Sequence, residues 1–340
     1  MKPSQAVRIV YGPTGGRYPM MFGIAEALEK KLLDLGIPIF DRVGISGGAI
    51  VAAARASGEE PQSFLLRCAH ATSNMSMWGL NTPRSVWNIV RHGGFLNSAK
   101  VIENVFERVI QKTPDEPCYA ISWCSSAEKP VCFPLQNSPH TAKYLCASAA
   151  VPIAFSPVKI DNRDLPDQVR DQIGVGIDGF STFQDGGLCE VFPSDLIGGP
   201  VVPTIMVFID PIPFSEQELL NQKPDLWVRF FGLKNKANSL AFSARRKPSV
   251  QLFVVPQLEC FEKNRLSFDG DLSSSLSMYN HGKVMTEYSF RLFLSFPEKL
   301  DTQDQQREDD ADDGLGLEHT LSEIVPSENG ENEIGQAVGE

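Results

Sequence analysis

The sequence lacks several features that mark particular classes of protein. Its seven cysteines include no Cys-x-x-Cys pair and form an odd count, which argues against a zinc site and against a complete disulfide framework. No apolar run approaches the ~18 residues that a membrane span requires. Basic residues are not in excess, so the positive charge typical of nucleic-acid-binding proteins is missing. We therefore expect a cytoplasmic protein with reduced thiols, no metal, no nucleic-acid partner, and at most peripheral contact with a membrane.

Charge is distributed unevenly along the 340 residues. The segment 301–340 contains thirteen acidic residues and one basic residue, Arg307, and it has no aromatic side chain. The preceding part of the chain contains 30 basic and 29 acidic residues, so its net charge is close to zero. This composition predicts a folded domain over residues 1–300, followed by a disordered acidic tail over residues 301–340.

The beginning of the chain alternates between strand-like and helix-like patterns. Residues 7–11 form a short strand-like run, a glycine-rich loop follows, and apolar residues then recur at helical spacing as far as Gly36. A second strand-like run, residues 38–45, leads into a segment of small apolar residues. This series predicts parallel strands with right-handed crossovers. The expected fold is therefore α/β, a three-layer sandwich with a central, mostly parallel sheet.

A serine lies in a sharp turn after the second predicted strand. Gly44, Ile45, Ser46, Gly47 and Gly48 fit the pattern G-x-S-x-G. Glycine is needed on both sides of the serine because the strand and the following helix pass too close together for a Cβ atom. Such a turn places the serine hydroxyl at a helix N-terminus, where peptide dipoles favour negative charge. Ser46 is therefore the candidate nucleophile.

A nucleophilic serine also needs N–H donors that stabilise the oxyanion of the tetrahedral intermediate. Gly15, Gly16 and Arg17 offer a run of backbone N–H groups at the start of the first helix. The parallel topology places them at the same edge of the sheet as Ser46. Gly47, directly after the serine, offers another donor. These four residues are the candidate oxyanion hole.

The candidate base is Asp185, which ends a predicted strand. Gly186 and Gly187 follow it, and a turn of this kind allows a carboxylate to approach a serine closely. His281 lies further along the chain, so the order Ser46, Asp185, His281 also fits the triad of an α/β-hydrolase. A Ser–Asp dyad and a Ser–His–Asp triad are thus both compatible with these residues.

The order and spacing of these blocks resemble those of the patatin-like phospholipase family. Residues 15–17 are similar to the oxyanion loop of that family, residues 44–48 to its nucleophile elbow, and residues 185–187 to its Asp-Gly-Ala/Gly motif. Residues 146–158 are similar to the helix and proline turn that precede the aspartate. The chain departs from the pattern at Tyr18 and Pro19, where a small residue and glycine are common, and a proline has no N–H to donate.

The resemblance implies a lipid acyl hydrolase of the phospholipase A or lysophospholipase type. In such an enzyme, Asp185 activates Ser46, and Ser46 forms an acyl-enzyme without a histidine, a metal or a cofactor. The implied substrate is a phospholipid or another acyl-ester lipid. The alternative from a different class is a catalytically idle scaffold that binds lipid or a protein partner.

Several other segments have predicted structures. Residues 61–112 fit either a helical cap or ordinary core helices, and within them residues 96–110 form an amphipathic helix. Residues 212–247 combine aromatic and basic side chains, which fits either a membrane-interfacial segment or a cap packed on the core. The polar residues 161–176 are predicted to form a loop, and residues 272–296 a closing helix.

Overall fold

A computed structural model describes residues 6–73, 94–189, 193–209, 247, 249–255 and 271–294. The interfacial segment predicted at 212–247, except for its last residue, lies outside the described residues. The same is true of the acidic tail predicted at 301–340 and of the middle of the segment 61–112.

The centre of the fold is a mixed, eight-stranded sheet. The strands of the described residues are β1 (Val7–Tyr11), β2 (Ile39–Ile45), β3 (Gly94–Leu96), β4 (Cys118–Cys124), β5 (Lys129–Pro134), β6 (Ile153–Phe155), β7 (Val158–Asp161), β8 (Phe180–Asp185), β9 (Thr204–Phe208) and β10 (Val250–Val254). The order in the main sheet is β10-β9-β1-β2-β4-β8-β7, with β5 also paired to β4. Strands β10, β9, β1, β2 and β4 are parallel, whereas β5, β8 and β7 join by antiparallel pairing. Strands β3 and β6 form a separate parallel pair.

Helices cover both faces of this sheet. Those of the described residues are α1 (Tyr18–Asp34), α2 (Gly47–Ala56), α3 (Pro61–Ser73), α4 (Ser98–Val101), α5 (Glu107–Val109), α6 (Thr141–Ala149), α7 (Asp167–Ile173), α8 (Pro193–Ile197) and α9 (Leu272–Leu294). A π-helical turn, Ile102–Phe106, connects α4 to α5. Within the described ranges, no helix combines the length and the apolar character that a bilayer-crossing segment needs.

The alternation of side chains along β1 shows how the sheet divides two cores. Ile9 and Tyr11 point into a large apolar cluster that also contains residues of α1, α2, α3, α6 and α9. Val10 points to the opposite face, into a smaller cluster that Leu196 of α8 borders. All five residues of β1 are buried, as expected for a central strand covered on both faces. The predicted α/β fold with a mostly parallel sheet between helices is thus confirmed.

Most of the predicted helices are present, with local differences. The helix predicted at 96–110 is capped by Asn97, whose side chain accepts a hydrogen bond from the Ala99 N–H, but it includes the π-helical turn. Phe64 and Val105 belong to the large core, so these two parts of the segment 61–112 pack as core helices. The closing helix predicted at 272–296 is confirmed as α9.

The loop predicted at 161–176 is wrong, because this segment contains helix α7. Val169 and Ile173 lie four residues apart on one face of α7, and both are buried. The helix ends at Gly174, which has the left-handed conformation of a typical C-terminal glycine. A short helix with only two buried apolar residues has a weak periodicity, which explains the error.

A buried ionic cluster joins the elements that carry the predicted site. The Glu29 carboxylate of α1, 1% exposed, accepts hydrogen bonds from the Tyr11 hydroxyl at 2.5 Å and from Arg42 Nε at 2.9 Å. Its other oxygen accepts a hydrogen bond from Arg55 Nη2 at 3.0 Å. Burial alone would raise the pKa of Glu29, but the two arginines outweigh it and hold this pKa below its usual value. The cluster therefore fixes α1 and α2 against β1 and β2.

We predict that Glu29→Gln lowers the free energy of unfolding by about 3–5 kcal/mol, because it removes the buried carboxylate that Arg42 and Arg55 share. Arg42 then keeps only its ion pair with Glu116, whose side chain is largely exposed. Urea denaturation at neutral pH measures this loss. The matched control is Glu287→Gln, which removes a carboxylate from a partly exposed pair with Lys31. That change should cost less than about 1 kcal/mol. Equal losses in the two variants would contradict the structural role of Glu29.

Candidate active site

Ser46 lies between β2 and α2 in a strained backbone conformation. Its φ is 56° and its ψ is −127°, a combination that L-amino acids rarely adopt and that costs about 1–3 kcal/mol. The Ser46 carbonyl accepts a hydrogen bond from the Ala49 N–H at 2.9 Å, which closes the turn. This geometry agrees with the nucleophile elbow that the G-x-S-x-G pattern predicts.

The glycines around Ser46 permit close contacts that any side chain would prevent. A Cβ atom on Gly44 would lie 2.2 Å from Ala49 Cα, and one on Gly48 would lie 2.3 Å from the Tyr11 carbonyl oxygen. Both distances are far shorter than real Cβ contacts. The strand and helix therefore meet as closely as the sequence predicts.

Two strands end against each other on one edge of β4. Ile45, the last residue of β2, pairs with Ile121, and Asp185, the last residue of β8, pairs with the next residue, Ser122. Strand β2 is parallel to β4 and β8 is antiparallel to it, so the C-terminal ends of β2 and β8 face each other. Strand β5 occupies the opposite edge of β4. This arrangement brings Asp185 to Ser46 from a position 139 residues away in the chain.

Ser46 and Asp185 form a direct hydrogen bond. The Ser46 hydroxyl donates to Asp185 Oδ2 at 2.7 Å, and the two residues are only 4% and 1% exposed. Burial raises the pKa of the Asp185 carboxyl to about 6, although the hydrogen bonds from Ser46 and from the Gly187 N–H oppose this shift. The carboxylate is therefore ionised at neutral pH and is a stronger base than an ordinary aspartate.

The turn after Asp185 fixes the orientation of its carboxylate. The Gly187 N–H donates to Asp185 Oδ1 at 2.7 Å, so each carboxylate oxygen accepts one hydrogen bond. The Asp185 N–H donates to the Ala150 carbonyl at 3.0 Å. Gly186 packs against β4, and a Cβ atom there would lie 2.1 Å from the Ile121 carbonyl oxygen. The side chain and the backbone of Asp185 are thus both held in place.

The glycine-rich loop after β1 contacts the serine turn. Gly15 has a φ of 58° and begins a 3-10 turn that leads into α1. A Cβ atom on Gly47 would lie 2.2 Å from Thr14 Oγ1 and 2.7 Å from the Gly15 carbonyl oxygen. The loop and the serine turn therefore lie at the same edge of the sheet, as the topology predicts.

Arg17 differs from the other residues of the candidate oxyanion hole. Its backbone N–H donates to the Thr14 carbonyl at 3.3 Å, and its Nε donates to the same oxygen at 3.2 Å. The side chain is 1% exposed. Since the Arg17 amide closes the 3-10 turn, Gly15, Gly16 and Gly47 remain the stronger candidates for donors to an oxyanion.

Ser148, at the end of α6, contacts the site and is absent from the predicted set. Its Oγ accepts a hydrogen bond from the Ser46 N–H at 3.1 Å and donates to the Ile121 carbonyl at 2.6 Å. The residue is fully buried. In the sequence, Ser148 is distinguished only as one hydroxyl residue within a run of small apolar residues. Such a run is also typical of a helix that merely packs against its neighbours.

His281 lies on α9. Its neighbour Gly282 packs against α1, where a Cβ atom would lie 2.2 Å from the Met20 carbonyl oxygen. Ser46 and Asp185 contact each other directly, with no imidazole between them. The structure therefore brings together the two residues of the predicted dyad and places the histidine of the alternative triad on another element.

Two solved structures are similar to this chain at low sequence identity. VipD from Legionella pneumophila is 10% identical, with a TM-score of 0.37, over 81% of this chain and 67% of VipD. ExoU, in its complex with SpcU from the type III secretion system of Pseudomonas aeruginosa, is 12% identical, with a TM-score of 0.32, over 93% of this chain and 64% of the other. The chain thus spans about two thirds of the length of each. No curated protein sequence matches it.

A family model also matches this chain. The model described as patatin-like phospholipase matches residues 14–196, a range that contains the glycine-rich loop, Ser46, Ser148 and Asp185. The match covers more than half of the chain, so this protein belongs to the patatin-like phospholipase family.

Proposed function

We propose that this protein hydrolyses acyl esters of lipids, of the phospholipase A or lysophospholipase type, with Ser46 as nucleophile and Asp185 as base. The family is one of lipid hydrolases, which supports the substrate class. The observation that carries the proposal is the 2.7 Å hydrogen bond from Ser46 Oγ to a buried carboxylate. Because lipid esters reside mainly in bilayers and micelles, the activity requires peripheral contact with a lipid surface.

In the first half of the proposed reaction, the Ser46 hydroxyl proton moves to Asp185 Oδ2 while Oγ attacks the ester carbonyl carbon. The new Oγ–C bond gives a tetrahedral intermediate whose oxygen carries the negative charge. Collapse of this intermediate breaks the bond to the lipid alcohol, and the proton on Asp185 passes to the leaving oxygen. The product is an acyl-enzyme on Ser46.

In the second half of the reaction, a water molecule replaces Ser46 as the nucleophile. Asp185 takes a proton from the water, the hydroxide attacks the acyl carbon, and the bond to Ser46 Oγ breaks. The proton returns to Oγ, so a free fatty acid leaves and the dyad is restored. A carboxyl with a pKa of about 6 suits this exchange, because it accepts and releases a proton near neutral pH.

The negative charge of both intermediates needs fixed donors. We assign this role to the N–H groups of Gly15, Gly16 and Gly47, where the glycine-rich loop contacts the serine turn. The N-terminus of α2 begins at Gly47 and adds a favourable dipole. Such preorganised donors typically contribute about 3–4 kcal/mol each to transition-state stabilisation.

We predict that Ser46→Ala and Asp185→Asn each reduce kcat by about 10⁴-fold or more, because each removes one member of a pair that acts as a unit. Hydrolysis of a p-nitrophenyl ester and release of fatty acid from liposomes measure the loss. Melting curves establish that each variant is folded. A Ser46→Ala variant that is as active as the wild type would disprove the proposal.

The variant His281→Ala separates the dyad from the alternative triad. The proposal expects its kcat to stay within a few fold of the wild-type value in folded protein. A loss comparable to that of Asp185→Asn would instead support a Ser–His–Asp arrangement.

We also predict that kcat/KM falls as the pH decreases through about 6. Burial raises the pKa of Asp185, and only the ionised carboxylate can accept the serine proton, so activity is present above this pH and lost below it. Each further pH unit should reduce the rate about tenfold. A pH–rate profile over the range in which the protein stays folded measures the midpoint. A profile that stays flat down to pH ~4, the value for an ordinary aspartate, would contradict the prediction.

A further inference from the structure

An apolar cavity of about 60 Å³ lies beside the N-terminal half of α2. Its walls come from α1, α2, α3, the continuous segment of α4, the π-helical turn and α5, the end of α6, and β6. The lining includes Tyr18, Ile50, Thr72, Val105, Phe106 and Ala149. The part of the wall that Val105 and Phe106 form is a π-helical turn, a distortion that is frequent at functional sites.

The few polar groups at this cavity bond to the protein itself. The Thr72 hydroxyl donates to the Cys68 carbonyl of its own helix at 2.8 Å. The Tyr18 hydroxyl and the Cys68 thiol interact with each other, and burial raises the pKa of both groups. A water molecule in a cavity needs two to four polar partners, and this lining supplies little for it. Hydrocarbon is therefore the ligand chemistry that the cavity favours.

Three separate segments connect the cavity with the dyad. Ile50 follows Ser46 by one turn of α2, which corresponds to about 6 Å along the helix axis. Ala149 follows Ser148, whose Oγ accepts the hydrogen bond from the Ser46 N–H. Tyr18 follows the glycine-rich loop directly. Residues that lie within about one helical turn of the nucleophile, or next to its hydrogen-bond partner, thus line the cavity.

We propose that this cavity binds the acyl chain of the substrate and that Val105 and Phe106 limit its length. The inference rests on the proposed function, since the chain is the one attached to the carbonyl that Ser46 attacks. The cavity is smaller than the ~150 Å³ cavity known to bind benzene, so it accepts only a short run of methylene groups. Longer chains extend beyond it and gain no further contact there.

The test changes the cavity volume at Val105. Val105→Phe fills the cavity and Val105→Ala enlarges it, and Val169→Ala is the matched control because Val169 is buried in α7 and does not line the cavity. The measurement is kcat/KM for p-nitrophenyl esters from acetate to dodecanoate. With the acetate ester as the reference, kcat/KM of Val105→Phe should fall about tenfold for each methylene group that the variant excludes from the cavity. Val105→Ala should instead favour longer chains. The control should keep the wild-type profile.

A folded Val105→Phe variant with an unchanged chain-length profile would overturn the cavity assignment and leave the proposed hydrolase intact. If no ester is turned over, the proposed function fails, and octanoate binding to the wild-type and Val105→Phe proteins decides the cavity question by calorimetry. At least tenfold weaker binding to Val105→Phe supports the assignment, and equal binding overturns it.

A second inference concerns the end of α6, which contacts both members of the dyad. Ser148 Oγ accepts the Ser46 N–H, and the Ala150 carbonyl accepts the Asp185 N–H. Ser148 in turn donates to the Ile121 carbonyl of β4, the strand along which β2 and β8 meet. The segment therefore bonds to the backbone of both residues and to the strand between them.

We infer that Ser148 is a positioning residue that holds Ser46 in its strained conformation. When Ser148 Oγ is removed, the Ser46 N–H loses a buried hydrogen-bond partner, and the turn relaxes toward ordinary φ values. Relaxation moves Oγ away from Asp185 and from the oxyanion donors. The expected effect is on kcat and on the reactivity of the serine, while KM is preserved.

The test compares Ser148→Ala with Ser181→Ala, which removes a buried hydroxyl from β8 that donates to Asn162 Oδ1 at 2.8 Å. The melting temperatures of both variants should fall by similar amounts. Only Ser148→Ala should reduce kcat and the rate of fluorophosphonate labelling of Ser46, each by about tenfold or more. Equal rates in the two folded variants would overturn the positioning role.

Discussion

The site depends on the meeting of two strand ends along one edge of β4. Strand β2 covers the first half of that edge and ends at Ile45, while β8 covers the second half and ends at Asp185. Because these strands run in opposite directions, Ser46, which follows β2, lies next to Asp185, which ends β8. Ser46 and Asp185 are therefore positioned by backbone hydrogen bonds of the sheet, and the 2.7 Å contact between their side chains follows from the pairing register.

This arrangement holds two unfavourable features, which the surrounding structure offsets. Ser46 has a positive φ, and Asp185 is buried with a raised pKa, so each alone reduces stability. Hydrogen bonds from Gly187 to Asp185 and from Ser46 to Ser148 compensate in part. The Glu29 cluster adds rigidity, because it ties together the helices and strands that carry the serine turn and the glycine-rich loop. Stability elsewhere in the fold thus permits strain at the dyad.

The sequence alone predicts the features that depend on local chemistry. The glycines at 44, 47 and 48 indicate a tight strand-to-helix turn, and the alternation of strand and helix patterns indicates a parallel sheet. Sequence patterns do not indicate that β8 is antiparallel, since strand direction depends on pairing across long separations. The hydrogen bonds of Ser148 and the use of the Arg17 amide within a 3-10 turn depend on distances of a few tenths of an ångström, which residue types do not determine. Helix α7 was unpredicted because only Val169 and Ile173 carry its periodicity.

The central claim is that a carboxylate activates Ser46 without a histidine. Labelling with a fluorophosphonate, followed by peptide mass spectrometry, tests this claim most directly in the wild type and in Asp185→Asn. The account predicts that the label is on Ser46 and that labelling of the folded Asp185→Asn variant is slower by orders of magnitude. A label on another serine, or an unchanged rate of Ser46 labelling without the Asp185 carboxylate, would contradict it.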